Sequence, residues 1–155
     1  MLLSGIRSKQ QRDEYDCLVV CCQMIFGYLG IDKDEEWLWK HLRSGQITPF
    51  SKVQNLATEL GLVVELGSWQ DDLTLFVPYI ESGLPVIVAV DTDAAAYWPY
   101  YRDHAVVVVG FDDAHVFVND PAQVEAPLAV DIDTFLLAWA NRDYAYAVIR
   151  LAEEL

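Results

Sequence analysis

Three cysteines, Cys17, Cys21 and Cys22, crowd into one short apolar stretch of a chain of 155 residues. They are too close together to staple distant parts of a fold and lack the paired clusters of a zinc site, so their role is chemistry or core. Cys17 opens the run CLVVCCQMIFGYL. At the start of a helix, unpaired backbone N–H groups and the positive end of the macrodipole favour a thiolate. Cys21 and Cys22, a turn further in, have no such advantage and read as small buried hydrophobes. On position alone Cys17 is either a nucleophile or one more core residue. Spacing adds to this. Gln11 stands far enough before Cys17 for its carboxamide to join the Cys17 backbone N–H around a developing oxyanion. His104 heads the run HAVVVVGF, and Asp120 sits in the turn VNDPA after the next apolar run. If GFDDA is a hairpin turn, His104 and Asp120 share the end of the hairpin opposite it, where the carboxylate can orient the imidazole. Such a set would attack an amide or related acyl carbon.

Other titratable groups read more plainly. His41 lies beside Lys40 and Arg43 on a charged helix face, and His115 follows a turn at the wrong end of the hairpin. Asp112 and Asp113 are turn residues, and no metal or cofactor is assigned. The segment AAAYWPYYRD packs Tyr97, Trp98, Tyr100 and Tyr101 into a Pro-containing loop just before His104. Those aromatics are either a satellite cluster over the core or a wall for substrate, with Trp98 and Tyr101 the residues to test.

The elements that must position these groups follow from periodicity. Cys17–Leu29 is apolar on every side and precedes Gly30, the pattern of a buried helix closed by glycine. Asp32–Arg43 reads as a surface helix with Asp32 as N-cap and Glu35 completing a capping box. Ser51 opens a third helix with Val53, Leu56, Ala57 and Leu60 on one stripe and Gly61 at its end; the strand Leu62–Leu66 follows. Pro78 starts or kinks a helix within residues 71–82. Then come four β-branched or alternating runs, Pro85–Val90, Ala105–Phe111, Val116–Asn119 and Tyr144–Leu151, with a helix near Asp133–Ala140 between the last two. Helices first and strands second predict an α+β architecture with an antiparallel sheet in the C-terminal half.

Composition bounds the function. With 54% hydrophobic and 22% charged residues, the chain suits one globular domain over 1–155, and no apolar run reaches the roughly 18–20 residues that cross a bilayer. A net charge of −14 repels phosphate backbones and anionic lipid, which argues against nucleic acid and membrane partners and for basic ones. The start MLLSGIRSKQQRDE lacks a secretory h-region, so a cytoplasmic protein is expected.

The string QRDEYDC with its apolar helix ending YLG, then GLPVIVAV, then HAVVVVGFDDAHVFVNDPA, resembles the C39-type papain-like cysteine peptidases, which trim double-glycine leaders from bacteriocin precursors. The resemblance implies a papain-like fold and a peptide or protein substrate. It implies Cys17 as nucleophile, His104 as its base, Asp120 as the group orienting His104 and Gln11 in the oxyanion hole, with Asp16 matching the acidic residue common before the nucleophile. Leu18 departs from the family, which usually has Gly there, and so bears on substrate range. Family members are often N-terminal domains of exporters; this chain has no transmembrane segment or P-loop, so a transporter would be a separate protein. Two alternatives use the same fold: a catalytically silent peptide-binding module, and an acyltransferase or amidase.

Overall fold

A computed structural model describes residues 1–13, 15–43, 48–92 and 103–152. Its centre is a six-stranded, wholly antiparallel sheet in the order β1-β6-β2-β3-β4-β5. The strands are β1 (Leu62–Gly67), β2 (Val86–Asp91), β3 (Asp103–Phe111), β4 (His115–Asn119), β5 (Leu128–Asp131) and β6 (Tyr146–Leu151). The helices are α1 (Cys17–Leu29), α2 (Glu35–Leu42), α3 (Asn55–Leu60), α4 (Val77–Glu81) and α5 (Ile132–Ala140), with 3-10 turns at Phe50–Gln54 and Leu73–Phe76.

The sheet is buried on both faces, and strand alternation shows how. Ile87, Ala105, Val107, Val109, Ala147 and Ile149 pack with α1, α2 and α3. The residues between them, among them Val86, Val88, Val106, Val108 and Val148, pack with α5 and with Phe76 and Ile80. A period of two thus feeds two cores, which explains why β2 and β3 read as almost continuous valine runs. Helices cover both faces, rather than occupying only the first half of the chain.

Helix α1 is central because its side chains are apolar nearly all round: Leu18, Val19, Val20, Cys21, Cys22, Met24, Ile25 and Phe26 are all buried. Each large aliphatic or aromatic side chain among them contributes about 1.5–3 kcal/mol of burial. Gly30 ends the helix at φ 77°, a left-handed conformation that glycine adopts without a Cβ penalty, and its N–H returns to the Phe26 carbonyl.

Several boundaries differ from the sequence reading. The N-cap of α2 is Asp34, whose carboxylate accepts from the Trp37 N–H at 2.9 Å, and not Asp32. The Ile31 N–H bonds to Phe26 and the Lys33 N–H to Ile31, so the chain is still completing the previous turn at Asp32. The third helix starts as a 3-10 turn at Phe50 and becomes α-helical only at Asn55. Strand β2 begins after Pro85, which has no N–H to give to the ladder. Strand β6 begins at Tyr146, because Asp143 and Tyr144 turn the chain out of α5 at φ 60° and 55°. The reading missed β5, four residues that extend the sheet beyond β4.

Candidate active site

Cys17 stands at the first position of α1, with Asp16 as the residue before it, and is partly exposed, whereas Cys21 and Cys22 are buried. Burial pushes the Cys22 thiol up to about 12 and the Cys21 thiol well above its ordinary value, the nearby Cys17 adding to the latter. Only the first of the three combines access to solvent with a helix N-terminus.

Strand β3 delivers the imidazole. His104 pairs opposite Val90 of β2 at the end of the sheet nearest the start of α1, and its side chain is enclosed. Asp120 follows β4 by one residue and is fully buried. The β3–β4 hairpin brings both to the same end, and Nε2 of His104 lies 2.6 Å from Oδ1 of Asp120. That oxygen also accepts from the Ala122 N–H at 2.8 Å, which fixes the carboxylate within the Asp-Pro turn. The other ring nitrogen, Nδ1, makes no hydrogen bond by geometry, although Cys17 is near enough to act on the ring. Burial by itself would lower the His104 pKa, but the hydrogen bond to Asp120 and the influence of Asp120 and Cys17 outweigh it, raising the value from 6.5 to about 9. The surroundings of the imidazole thus favour its protonated form.

A cleft of about 320 Å³ opens over these groups, with Cys17, Leu18, His104 and Ala105 in its wall. The sequence reading missed its other contributors. Tyr15, Thr48, Pro49 and Phe50 come from loops on the α1 side, held in part by a hydrogen bond from Thr48 Oγ1 to the Tyr15 carbonyl at 3.1 Å. Arg142 and Asp103 face each other across the other side at 3.2 Å. None of these stands in a motif; they meet because the ends of β3 and α5 converge with the loops around α1, a long-range pairing that local spacing does not encode.

The remaining candidates fall in different places. Gln11 is anchored beside the Asp-Pro turn by its backbone N–H, which donates to the Pro121 carbonyl at 2.8 Å. Its Nε2 donates to the Asp13 carbonyl at 2.9 Å, and Gln11 is not in the cleft wall. Asp16 is buried away from the cleft, in the wall of a second cavity. Leu18 is buried and lines the cleft beside Cys17. Trp98 and Tyr101, with Tyr97 and Tyr100, lie outside the described residues. His41 stacks on Trp37 at 3.9 Å and is half-buried, not on a solvated face. Among the described residues no His, Cys, Asp and Glu cluster is arranged to hold a metal, and no helix is long and apolar enough to cross a membrane.

A cysteine at the start of a buried helix, facing a histidine on an antiparallel sheet, is the arrangement of the papain-like cysteine peptidase fold. Within it the chain belongs to the Peptidase_C39 like family, whose profile matches residues 4–147. Solved structures agree on the fold. A C39-like peptidase structure from Bacillus anthracis superposes with a TM-score of 0.78 at 17% identity, covering 96% of each chain. The peptidase domain of Streptococcus ComA, a bifunctional ABC transporter involved in a quorum-sensing pathway, gives 0.75 at 19% identity, over 95% of this chain and 99% of that one. A double-glycine-motif protease from an AMS/PCAT transporter, solved with a leader peptide, gives 0.72 at 15% identity, over 97% and 94%. No curated protein matches the sequence.

Proposed function

We propose that this chain, residues 1–155 acting as one domain, is a cysteine peptidase that cleaves a peptide bond through Cys17, His104 and Asp120. The observation that carries the reading is the enclosed His104–Asp120 pair at 2.6 Å, with Cys17 at the start of α1 near enough to act on the ring. In the proposed reaction the Cys17 thiolate adds to the carbonyl carbon, and the Cys17 backbone N–H with a freed Gln11 carboxamide takes up the oxyanion. His104 gives its proton to the leaving amine as the C–N bond breaks, then takes one from the water that hydrolyses the thioester, regenerating the thiolate. Asp120 holds the ring throughout.

Leader segments are the proposed substrate class, a transporter the proposed partner, and the cytoplasm the proposed location. The similar structures support this, two being transporter peptidase domains and one of them bound to a leader peptide. If Trp98 and Tyr101 form a substrate wall, replacing both by Ala raises KM without lowering Tm.

One observation favours a silent peptide-binding module instead: the Gln11 amide is turned to the Asp13 carbonyl and outside the cleft wall. An acyltransferase would share the first half-reaction and hand the acyl group to an amine or thiol rather than water. The deciding experiment is iodoacetamide labelling of each cysteine against pH, in wild type and His104→Ala, followed by incubation with double-glycine leader peptides. Fast labelling of Cys17 alone, lost without His104, together with peptide hydrolysis supports the peptidase. A peptide bound but recovered intact establishes the binding module.

A further inference from the structure

Among the described residues of the cleft wall, Arg142 is the one Lys or Arg side chain. Leu18, Phe50, Ala89 and Ala105 make much of the wall apolar, so Arg142 is a placed charge beside the nucleophile. The backbone that carries it is fixed to the core. The carbonyl of buried Trp139 accepts from the Arg142 N–H at 3.0 Å and from the Tyr144 N–H at 3.1 Å, and the Trp139 indole donates to the Ala145 carbonyl at 3.0 Å. The Ala145 N–H returns to the Arg142 carbonyl at 3.1 Å. Asp143 and Tyr144 are left-handed at φ 60° and 55°, and the N–H of Trp69, left-handed at 65°, donates to the Asp143 carbonyl at 2.8 Å. These three are the non-glycine residues of positive φ among those described, and such conformations persist only where the surroundings over-determine them. All three brace the turn that carries Arg142.

The side chain is oriented without being used up. Its Nη1 lies 3.2 Å from Oδ1 of Asp103, the residue before His104. Asp103 and Ala105, two apart on β3, both line the cleft, so the strand turns that face towards it. With Arg142 41% and Asp103 71% exposed, the two form a surface ion pair, weak and open to exchange. A guanidinium carries five N–H donors in a planar fork, so a second carboxylate can join it from the cleft without displacing the first. The net charge of −14 repels anions at a distance, which leaves this exposed cation as the feature that admits one beside Cys17.

We propose that Arg142 is a specificity residue that binds a carboxylate of the peptide substrate, either an Asp or Glu side chain near the scissile bond or the C-terminal carboxylate. That the ligand is a substrate rests on the function proposed above. The probes are acetyl-Ala-Ala-Ala-Gly-Gly-Ala-Ala amide, its variants with Glu, Gln or Lys at each Ala in turn, and its free acids ending one or two residues after Gly-Gly. Hydrolysis is followed in wild type, Arg142→Gln, Arg142→Lys and Asp103→Asn. At one or more positions Glu is expected to give a KM about threefold lower than Gln and about tenfold lower than Lys, with kcat little changed. Arg142→Gln abolishes that order, Arg142→Lys keeps a reduced one, and Asp103→Asn enlarges it, which a merely structural bridge would not do. A gain confined to the free acids over the amides, lost in Arg142→Gln, supports the C-terminal source. Equal KM for Glu, Gln and Lys at every position with no gain for the free acids, or a preference that survives Arg142→Gln, overturns the proposal. Should Arg142→Gln fail to fold, the opposite shifts of Arg142→Lys and Asp103→Asn decide. The same peptides titrated into Cys17→Ala protein read the preference as affinity. A charge order there, in a protein whose wild type cuts nothing, sinks the peptidase reading and leaves this one standing; hydrolysis without charge order sinks this one alone, and neither binding nor hydrolysis sinks both.

Discussion

Two buried carboxylates flank the same cysteine, and they live in opposite circumstances. Asp120 touches the His104 imidazole and a backbone N–H; Asp16, equally hidden, touches no donor. The first arrangement is complete within the chain, so it holds a geometry. The second is incomplete, so burial disfavours its charged form. Charge that is paired internally holds a geometry, and charge left unpaired in the interior costs stability.

The contrast can be broken most forcefully at its centre. Cys17→Ala should remove hydrolysis altogether, a loss of 10⁴-fold or more, with circular dichroism unchanged; residual turnover would move the chemistry elsewhere. Asp120→Asn is expected to lower kcat about 10³–10⁴-fold, since the ring loses the acceptor that sets its orientation and charge. Labelling of Cys17 should slow in parallel, and a variant with normal kcat would reduce Asp120 to a turn residue.

Stability against pH tests the same pair without substrate. The His104 pKa is raised on folding, from 6.5 to about 9, so its contribution is complete below the lower value and is lost as pH rises through the upper one. Denaturant unfolding should show a decline of roughly 3 kcal/mol between pH 6 and 10, flattened in Asp120→Asn. The smallest expected effect is on the other side. Asp16→Asn removes an unpaired buried charge, so the ligand-free protein should gain about 1 kcal/mol at pH 7, a rise in Tm of about 2–4 °C. A fall in Tm would mean that Asp16 has an internal partner after all and that the two carboxylates do not differ.

Much of this was legible beforehand, and for local reasons. The apolar run from Cys17 to Gly30 could only be a buried helix, and the valine runs could only be strands, because the 3.6 and 2.0 periods arise from neighbouring residues. The meeting of His104 and Asp120 was legible too, since a hairpin turn at residues 110–114 sets the register of both strands. Strand β5 was not, because four residues after a proline carry too little pattern and pair only when β4 offers an edge. The capping of α2 at Asp34 depended on where the preceding turn ended, a matter of backbone geometry two residues upstream.

The amino-acid sequence by itself determined the helix that carries the thiol, the strands that carry the imidazole and the family to which both belong. The tertiary structure alone decided what lies around them: which loops wall the cleft, that Gln11 turns to Asp13, and that Asp16 is sealed away from Cys17's side of the chain. The physical reason is range. Periodicity and turns act over a few residues, whereas burial and the pairing of a charge depend on contacts between segments far apart in the chain.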